Sequence, residues 1–274
     1  MPVFLHALTA CLIGIGCFLT GCAIPVRDNI TDNIAQRVDS LFPADVILLG
    51  EQHDAPDHHR LERALVLELA QRQQLSAVVL EMADRGRTTS GLARNASDAD
   101  ARLALQWDEA SWAWNDYGPV VMAAVQNGVP VLGANLPRAA MRTAMADETL
   151  DVRLSTTSLA QQRDNIRAGH CMMLPESQIA PMTRIQVARD VAMAETVVSA
   201  SQSGKTVVLV AGGGHVSRGL GVPVHLPDST LVKVVLAVAG PADLDRLSGA
   251  DVIWKTPAMP AKDHCADFQK QMRP

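Results

Sequence analysis

Five short apolar runs constrain the fold of this chain more than any other feature. They are Asp45–Leu49 (DVILL), Ser76–Leu80 (SAVVL), Val129–Leu132 (VPVL), Thr206–Val210 (TVVLV) and Leu231–Val238 (LVKVVLAV). None alternates cleanly between apolar and polar residues. A strand without alternation is buried on both faces, as in parallel sheets covered by helices. Helical patterns lie between the runs, for example Asp57–Gln74 and Pro119–Asn127, and a short amphipathic helix is expected over 28–42. Strand–helix–strand order predicts an α/β fold, a mainly parallel sheet flanked by helices with right-handed crossovers. Two segments break the rhythm: 86–117 and 139–203 are rich in Ala, Arg, Asp and Met, with a long helical pattern at Pro181–Ser201. They are expected to form a helical subdomain inserted into a sheet core made of 43–85, 118–138 and 204–274.

The residues just after each run are as informative as the run itself. Behind the first come Gly50-Glu51-Gln52-His53-Asp54 and then His58-His59, behind the second Glu81-Met82, behind the third Asn135-Leu136-Pro137-Arg138, and behind the fourth Gly212-Gly213-Gly214-His215. Ligands of open parallel sheets bind outside the carboxyl ends of the strands. Four strands that all deliver polar, ionisable or Gly-rich sequence at that end predict one site. Glu51 and His53 could bind metal or carry protons; the plainer reading has Glu51 solvated and Asp54 capping the helix that Pro56 begins. His58 and His59 are neighbours on a helix and cannot face the same way, so one belongs to the site, and His59 is preferred. Glu81 sits directly behind an apolar run, where a carboxylate needs a partner. The glycines before His215 permit a close backbone approach, but no Gly-Lys-Ser/Thr comes after them, so this is not a phosphate loop. His170 beside Cys171 reads as structural. Neither a Gly-x-Ser-x-Gly elbow nor a His-Glu-x-x-His motif is present, so no complete catalytic signature exists.

Residues 3–21 carry no formal charge and end in Leu19-Thr20-Gly21-Cys22. Small residues before a Cys are what the lipoprotein signal peptidase reads, so 1–21 are expected to be a signal peptide and Cys22 the acylated start of a domain over 22–274, with chains such as palmitate. The n-region lacks the usual basic residue, and a retained membrane anchor is the alternative, since the stretch could just span a bilayer. No Asp stands after Cys22, which points to the outer membrane of a Gram-negative cell, facing the periplasm or the surface. Cleavage would leave Cys171 and Cys265 as unmodified cysteines in an oxidising compartment. They are expected to pair, or else to be two buried thiols. The net charge of −5 and pI near 5.9 argue against nucleic acid as a partner.

Aromatic residues make up only 3% of the chain, and Tyr117 is its single tyrosine. Once the signal is removed, Trp107, Trp112, Trp114 and Tyr117 are more than half of the remaining rings, within eleven positions. They form either a local aromatic core or a flat platform for an apolar ligand. Methionines gather between Met141 and Met193, and they too suit a core or an apolar pocket.

Taken in order, these motifs resemble the ChaN-like family of haem-binding lipoproteins, in the wider group of Tiki-type and erythromycin-esterase-like proteins. The carriers are Leu49–Asp54 with His58-His59, Val79–Met82, Trp114 with Tyr117 and Pro119, and Asn135–Arg138. They continue with His170-Cys171, Leu174–Glu176, Gln186 with Arg189-Asp190, Met193-Ala194, Gly212–His215, Gly221–Pro223 and Leu226, and finally Asp263 with Cys265. The resemblance implies a lipid-anchored haem-binding protein of the outer membrane, with haem held between two protomers and a role in iron acquisition. It implies haem as cofactor and a tyrosine oxygen on the iron, which here could only be Tyr117. His53, His59 and His215, with Glu51 and Glu81, are implied as pocket residues. The wider group also permits a metal-dependent hydrolase, with Glu51, His53, Glu81 and His215 as ligands or acid–base groups.

Overall fold

The computed structural model describes residues 30–241, 249–266 and 269. The expected signal segment 1–21 and Cys22 lie outside the described residues. Among those described, no helix is long and apolar enough to cross a membrane.

Six strands form one all-parallel sheet: β1 (Val46–Glu51), β2 (Leu75–Asp84), β3 (Val131–Asn135), β4 (Thr206–Gly212), β5 (Val232–Ala239) and β6 (Val252–Thr256), in the order β3-β2-β4-β1-β5-β6. The five expected strands are all present, and several run further at their carboxyl ends. Glu51 and Glu81 are therefore strand residues rather than loop residues. β6 was not foreseen. It is an edge strand whose exposure alternates along Val252–Thr256, so it lacks the unbroken apolar run that marked the others.

Helices cover both faces. On one lie α1 (Ile34–Asp39), α2 (Pro56–Gln71), α3 (Asp98–Leu105) and α4 (Trp114–Gln126). On α2, Leu61, Leu65, Val66 and Leu69 recur at three- and four-residue spacing and meet Ile47 and Leu49 of β1 and Val78 and Leu80 of β2. On the other face lies the carboxyl half of α7 (Glu176–Ala200), where Met193, Ala194 and Val197 pack on Leu48, Val79 and Leu209. Burying one such aliphatic side chain contributes roughly 1.5–3 kcal/mol, so these two layers fix the sheet between them. A third, smaller cluster joins α5 (Arg138–Ala146), a 3₁₀ turn at Glu148–Arg153, α6 (Thr156–Gly169) and the first half of α7 through Leu150, Leu154, Ile185 and Val187. Met141, Met145 and Met182 pack there, which is a core role. α7 thus serves both the helical cluster and the sheet.

Three helix limits differ from expectation. The helix expected over 28–42 is confined to Ile34–Asp39 among the described residues. α4 begins five residues before Pro119, and α7 begins five before Pro181. In α4 the Glu109 carboxylate accepts the Trp114 backbone N–H at 3.2 Å, so the first turn is tied down without proline. Cys171 and Cys265 are joined by a disulfide, with Cα atoms 5.6 Å apart.

Candidate functional site

Sheet register builds the site. Glu51 at the end of β1 lies opposite Gly212 at the end of β4, and Leu80 of β2 lies opposite Val210. Glu51 and Gly212 are thus level at the carboxyl edge, with Glu81 of the next strand one residue earlier, beside Ala211. Alternation then separates the two carboxylates. Glu51 shares its face with Ile47 and Leu49, under α2 and α4. Glu81 shares its face with Val79, under α7.

On the first face, Glu51 is 4% exposed. Its Oε1 accepts the Tyr117 hydroxyl at 2.8 Å and faces His53 Nδ1 at 2.8 Å. Its Oε2 lies 3.2 Å from His59 Nε2. Burial works against the Glu51 charge, but the imidazoles of His53 and His59 outweigh it and hold the carboxyl far below its ordinary range. Beside it, Glu62 is buried on α2, and neither of its oxygens has a hydrogen-bond partner. Burial, with Glu51 next to it, pushes the Glu62 carboxyl well above its ordinary value.

On the second face, His215 is held between two carboxylates, with Nδ1 2.5 Å from Asp190 Oδ1 and Nε2 3.3 Å from Glu81 Oε1. Gln186, one turn before Asp190 on α7, lies against the same ring at 3.2 Å. Glu81 Oε2 also accepts the Gly212 backbone N–H at 2.8 Å. Burial opposes a charge on His215, but Glu81 and Asp190 raise its pKa to about 10. Burial likewise opposes the charge on Glu81, and His215 overrides it, bringing the carboxyl to about 2. Asp190 is pushed up by burial to about 6, against the pull of His215. At neutral pH His215 is therefore an imidazolium clamped between anions. Its place between Asp190 and Glu81 orients and neutralises them.

His53 joins the two faces over the sheet edge, with Nδ1 toward Glu51 and Nε2 3.7 Å from Glu81. Its side chain is 38% exposed while Glu51 and Glu81 are shut beneath it. Burial lowers its pKa, but the two carboxylates raise it more. A Cβ on Gly212 would sit 2.8 Å from His53 Nε2, so glycine here allows the ring to lie on the strand end. The glycine turn makes room for a side chain of the protein itself.

The structure brings together Glu51, His53, His59, Glu81, His215 and Tyr117. His58 stands apart: its Nδ1 accepts the Gln52 N–H at 3.0 Å and its Nε2 lies 3.1 Å from Thr256 Oγ1, which links α2 to β6. Asp54 does not cap α2, whose cap position is Ala55; it pairs with Lys262 at 2.6 Å. Asn135 closes β3 and Arg138 opens α5, away from the cluster's hydrogen bonds. Glu62 was missed, although its place three residues after His59 put it on the apolar face of α2. Asp190 and Gln186 were among the residues carrying the resemblance, but not among the site candidates. Two shallow surface cavities, one along α1 and one between Pro43 and Lys233, lie elsewhere on the molecule.

The tryptophans wall the cluster. Trp112 meets His53 at 4.9 Å and Tyr117 at 5.8 Å, edge to face, and Trp107 packs on Trp114 at 5.0 Å. They act mainly as a local core, as offset and edge contacts favour. Tyr117 lies behind them. It is 1% exposed, its hydroxyl is committed to Glu51, and burial together with that carboxylate pushes its ionisation far above the usual value. Tyr117 is thus turned away from solvent in this structure and held by Glu51.

The model of a family described as haem-binding uptake, Tiki superfamily, ChaN, matches residues 37–226. The chain belongs to this family. Among solved structures, ChaN of Campylobacter jejuni, described for cofacial haem binding, is 28% identical with a TM-score of 0.65, covering 77% of this chain and 88% of that one. The type III effector HopBA1 aligns at 16% identity and a TM-score of 0.48, over 85% and 95% of the two chains. No curated protein matches. The matched span takes in β1 through β4 and every residue of the cluster.

Haem does not fit inside the cluster. The groups there are enclosed: Glu51, Glu62, Glu81 and Asp190 are all buried. The rim fits better, because half-buried Trp112 and the open part of His53 present ring surface to solvent.

Proposed function

We propose that the chain is a haem-binding protein that binds haem on its surface, at the rim formed by Trp112 and His53, with an iron ligand other than Tyr117. The family match over residues 37–226 carries this reading. Haem supplies the iron; the chain supplies ring surface and the fixed imidazole of His53. The Leu-Thr-Gly-Cys sequence at 19–22 supports an acylated Cys22 and an outer-membrane anchor. Cofacial haem in the Campylobacter jejuni protein supports a homodimer closing over haem, with a role in iron acquisition. Haem titration tests the proposal. A Soret shift that survives Tyr117→Phe and weakens in Trp112→Ala is expected; no shift in the unaltered protein would end it. Sedimentation should show haem-dependent dimers.

A second reading, hydrolysis, is favoured by one observation. His53 stands at the solvent edge between two carboxylates that raise its pKa, which is the setting of a general acid. Hydrolysis of chromogenic esters that disappears in His53→Gln, with no Soret shift, would replace the first reading by the second.

A further inference from the structure

We propose that Glu51, His59 and Glu62 form a binding site for a divalent first-row transition cation, on the α2 face of the sheet beneath the His53 rim. The inference is independent of the haem reading, since it concerns enclosed atoms that haem cannot reach.

Three observations carry it. His59 and Glu62 stand three residues apart on α2, so both project from one helix face, toward the strand end that presents Glu51. One donor atom from each of the three residues lies within 4.8 Å of the other two. Apart from the 3.2 Å ion pair between His59 Nε2 and Glu51 Oε2, the donor atoms are not committed to hydrogen bonds. Glu51 Oε1 is taken by Tyr117 and His53, whereas Glu51 Oε2, His59 Nε2 and both Glu62 oxygens have no hydrogen-bond partner.

Nearly all buried polar atoms in a folded protein are satisfied, so unpartnered atoms on three residues whose donors lie within 4.8 Å of one another stand out. Two buried carboxylates side by side also repel, and removing them from water without a counter-charge costs several kcal/mol. A dication would offset both charges. His59 Nε2 and Glu51 Oε2 are 3.2 Å apart without hydrogen-bond geometry. Two ligands each about 2.0–2.1 Å from one tetrahedral zinc lie about 3.3 Å apart. One imidazole nitrogen with two carboxylate oxygens, and no thiolate, suits Zn²⁺ or Mn²⁺ rather than a soft metal. The phenol of Tyr117 and the ring of His53 bind the outer oxygen of Glu51, and so would orient it as second partners of a ligating carboxylate commonly do.

The rival for the same atoms is a proton shared between Glu51 and Glu62. The two are separated by measuring Zn²⁺ binding to the chelator-stripped full chain by calorimetry, with metal content by mass spectrometry and infrared spectra of the same samples. The expected result is one equivalent of Zn²⁺, weakened about tenfold or more in Glu62→Gln and in His59→Gln, and retained in Glu81→Gln. Circular dichroism selects the variants that fold, and either of the first two suffices. No bound Zn²⁺, with a protonated-carboxyl band that vanishes in Glu62→Gln, would overturn the proposal in favour of the proton. Zn²⁺ that is lost in Glu81→Gln but kept in Glu62→Gln would overturn it by placing the cation at the rim.

Discussion

Gly212→Ala should loosen the whole cluster through a single methyl. The added Cβ would lie 2.8 Å from His53 Nε2, 3.2 Å from His53 Cε1 and 3.6 Å from Glu81 Oε2. The ring cannot yield cheaply, because Nδ1 is bound to Glu51 and Trp112 stands against its edge. The strand end cannot yield either, because the Gly212 N–H donates to Glu81. Overpacking of this kind costs about 1–3 kcal/mol, which in a domain of this size lowers Tm by about 2–4 °C per kcal/mol. Thermal unfolding followed by circular dichroism reads the first effect. A second effect is specific to the geometry: a His53 pushed away from Glu81 loses one of the two charges that raise its pKa. A titration of the His53 ring by NMR should then move downward in the variant. An unchanged Tm together with an unchanged His53 titration would refute the claim that Gly212 exists to admit the imidazole.

Tyr117→Phe removes a donor to a buried, ionised carboxylate, and should cost about 1.5–3 kcal/mol in urea unfolding; a neutral effect would mean that His53 alone satisfies Glu51. Stability should peak at about pH 4 to 4.5. His215, raised from 6.5 to about 10, stabilises fully below 6.5 and loses that contribution as pH rises through 10, and Asp190, raised from 3.8 to about 6, loses its own contribution between those two values. Glu81, lowered from 4.5 to about 2, contributes above 4.5 and loses its effect as pH falls through 2. A midpoint in denaturant that stays level from pH 6 to 9 would contradict the clamped His215. Reducing the Cys171–Cys265 bond, which spans 94 residues, has a ceiling of about 4–5 kcal/mol in the chain-entropy model. The loss should fall well short of it, because residues 257–263 run as exposed, irregular chain and are freed without unfolding the sheet. A loss at the ceiling would show that this segment belongs to the cooperative core.

The sheet was readable because burial on both faces leaves a signature in single strands: Val46–Leu49 and Val207–Val210 contain nothing but apolar residues. β6 escaped for the opposite reason, since an edge strand buries only alternate positions. The starts of α4 and α7 were misplaced by one assumption, that a proline within a helical pattern marks the first helical position. Pro119 and Pro181 instead sit after the first turn. The shift changes how the site reads. With α4 starting at Pro119, Tyr117 belongs to a loop and its hydroxyl is free to meet a ligand. With α4 starting at Trp114, Tyr117 lies on the inner face of a helix packed on α2, and its oxygen turns to Glu51. The residue types of the cluster could be read locally, because each lies just behind an apolar run. Their pairing could not, because it depends on strand order. Only the placement of β4 between β1 and β2 sets His53 above Gly212, and only pleat alternation sends Glu51 and Glu81 to opposite faces. The scarcity of tyrosine made Tyr117 conspicuous in the sequence, yet a lone tyrosine is as well explained by a buried hydroxyl that holds a carboxylate as by a ligand.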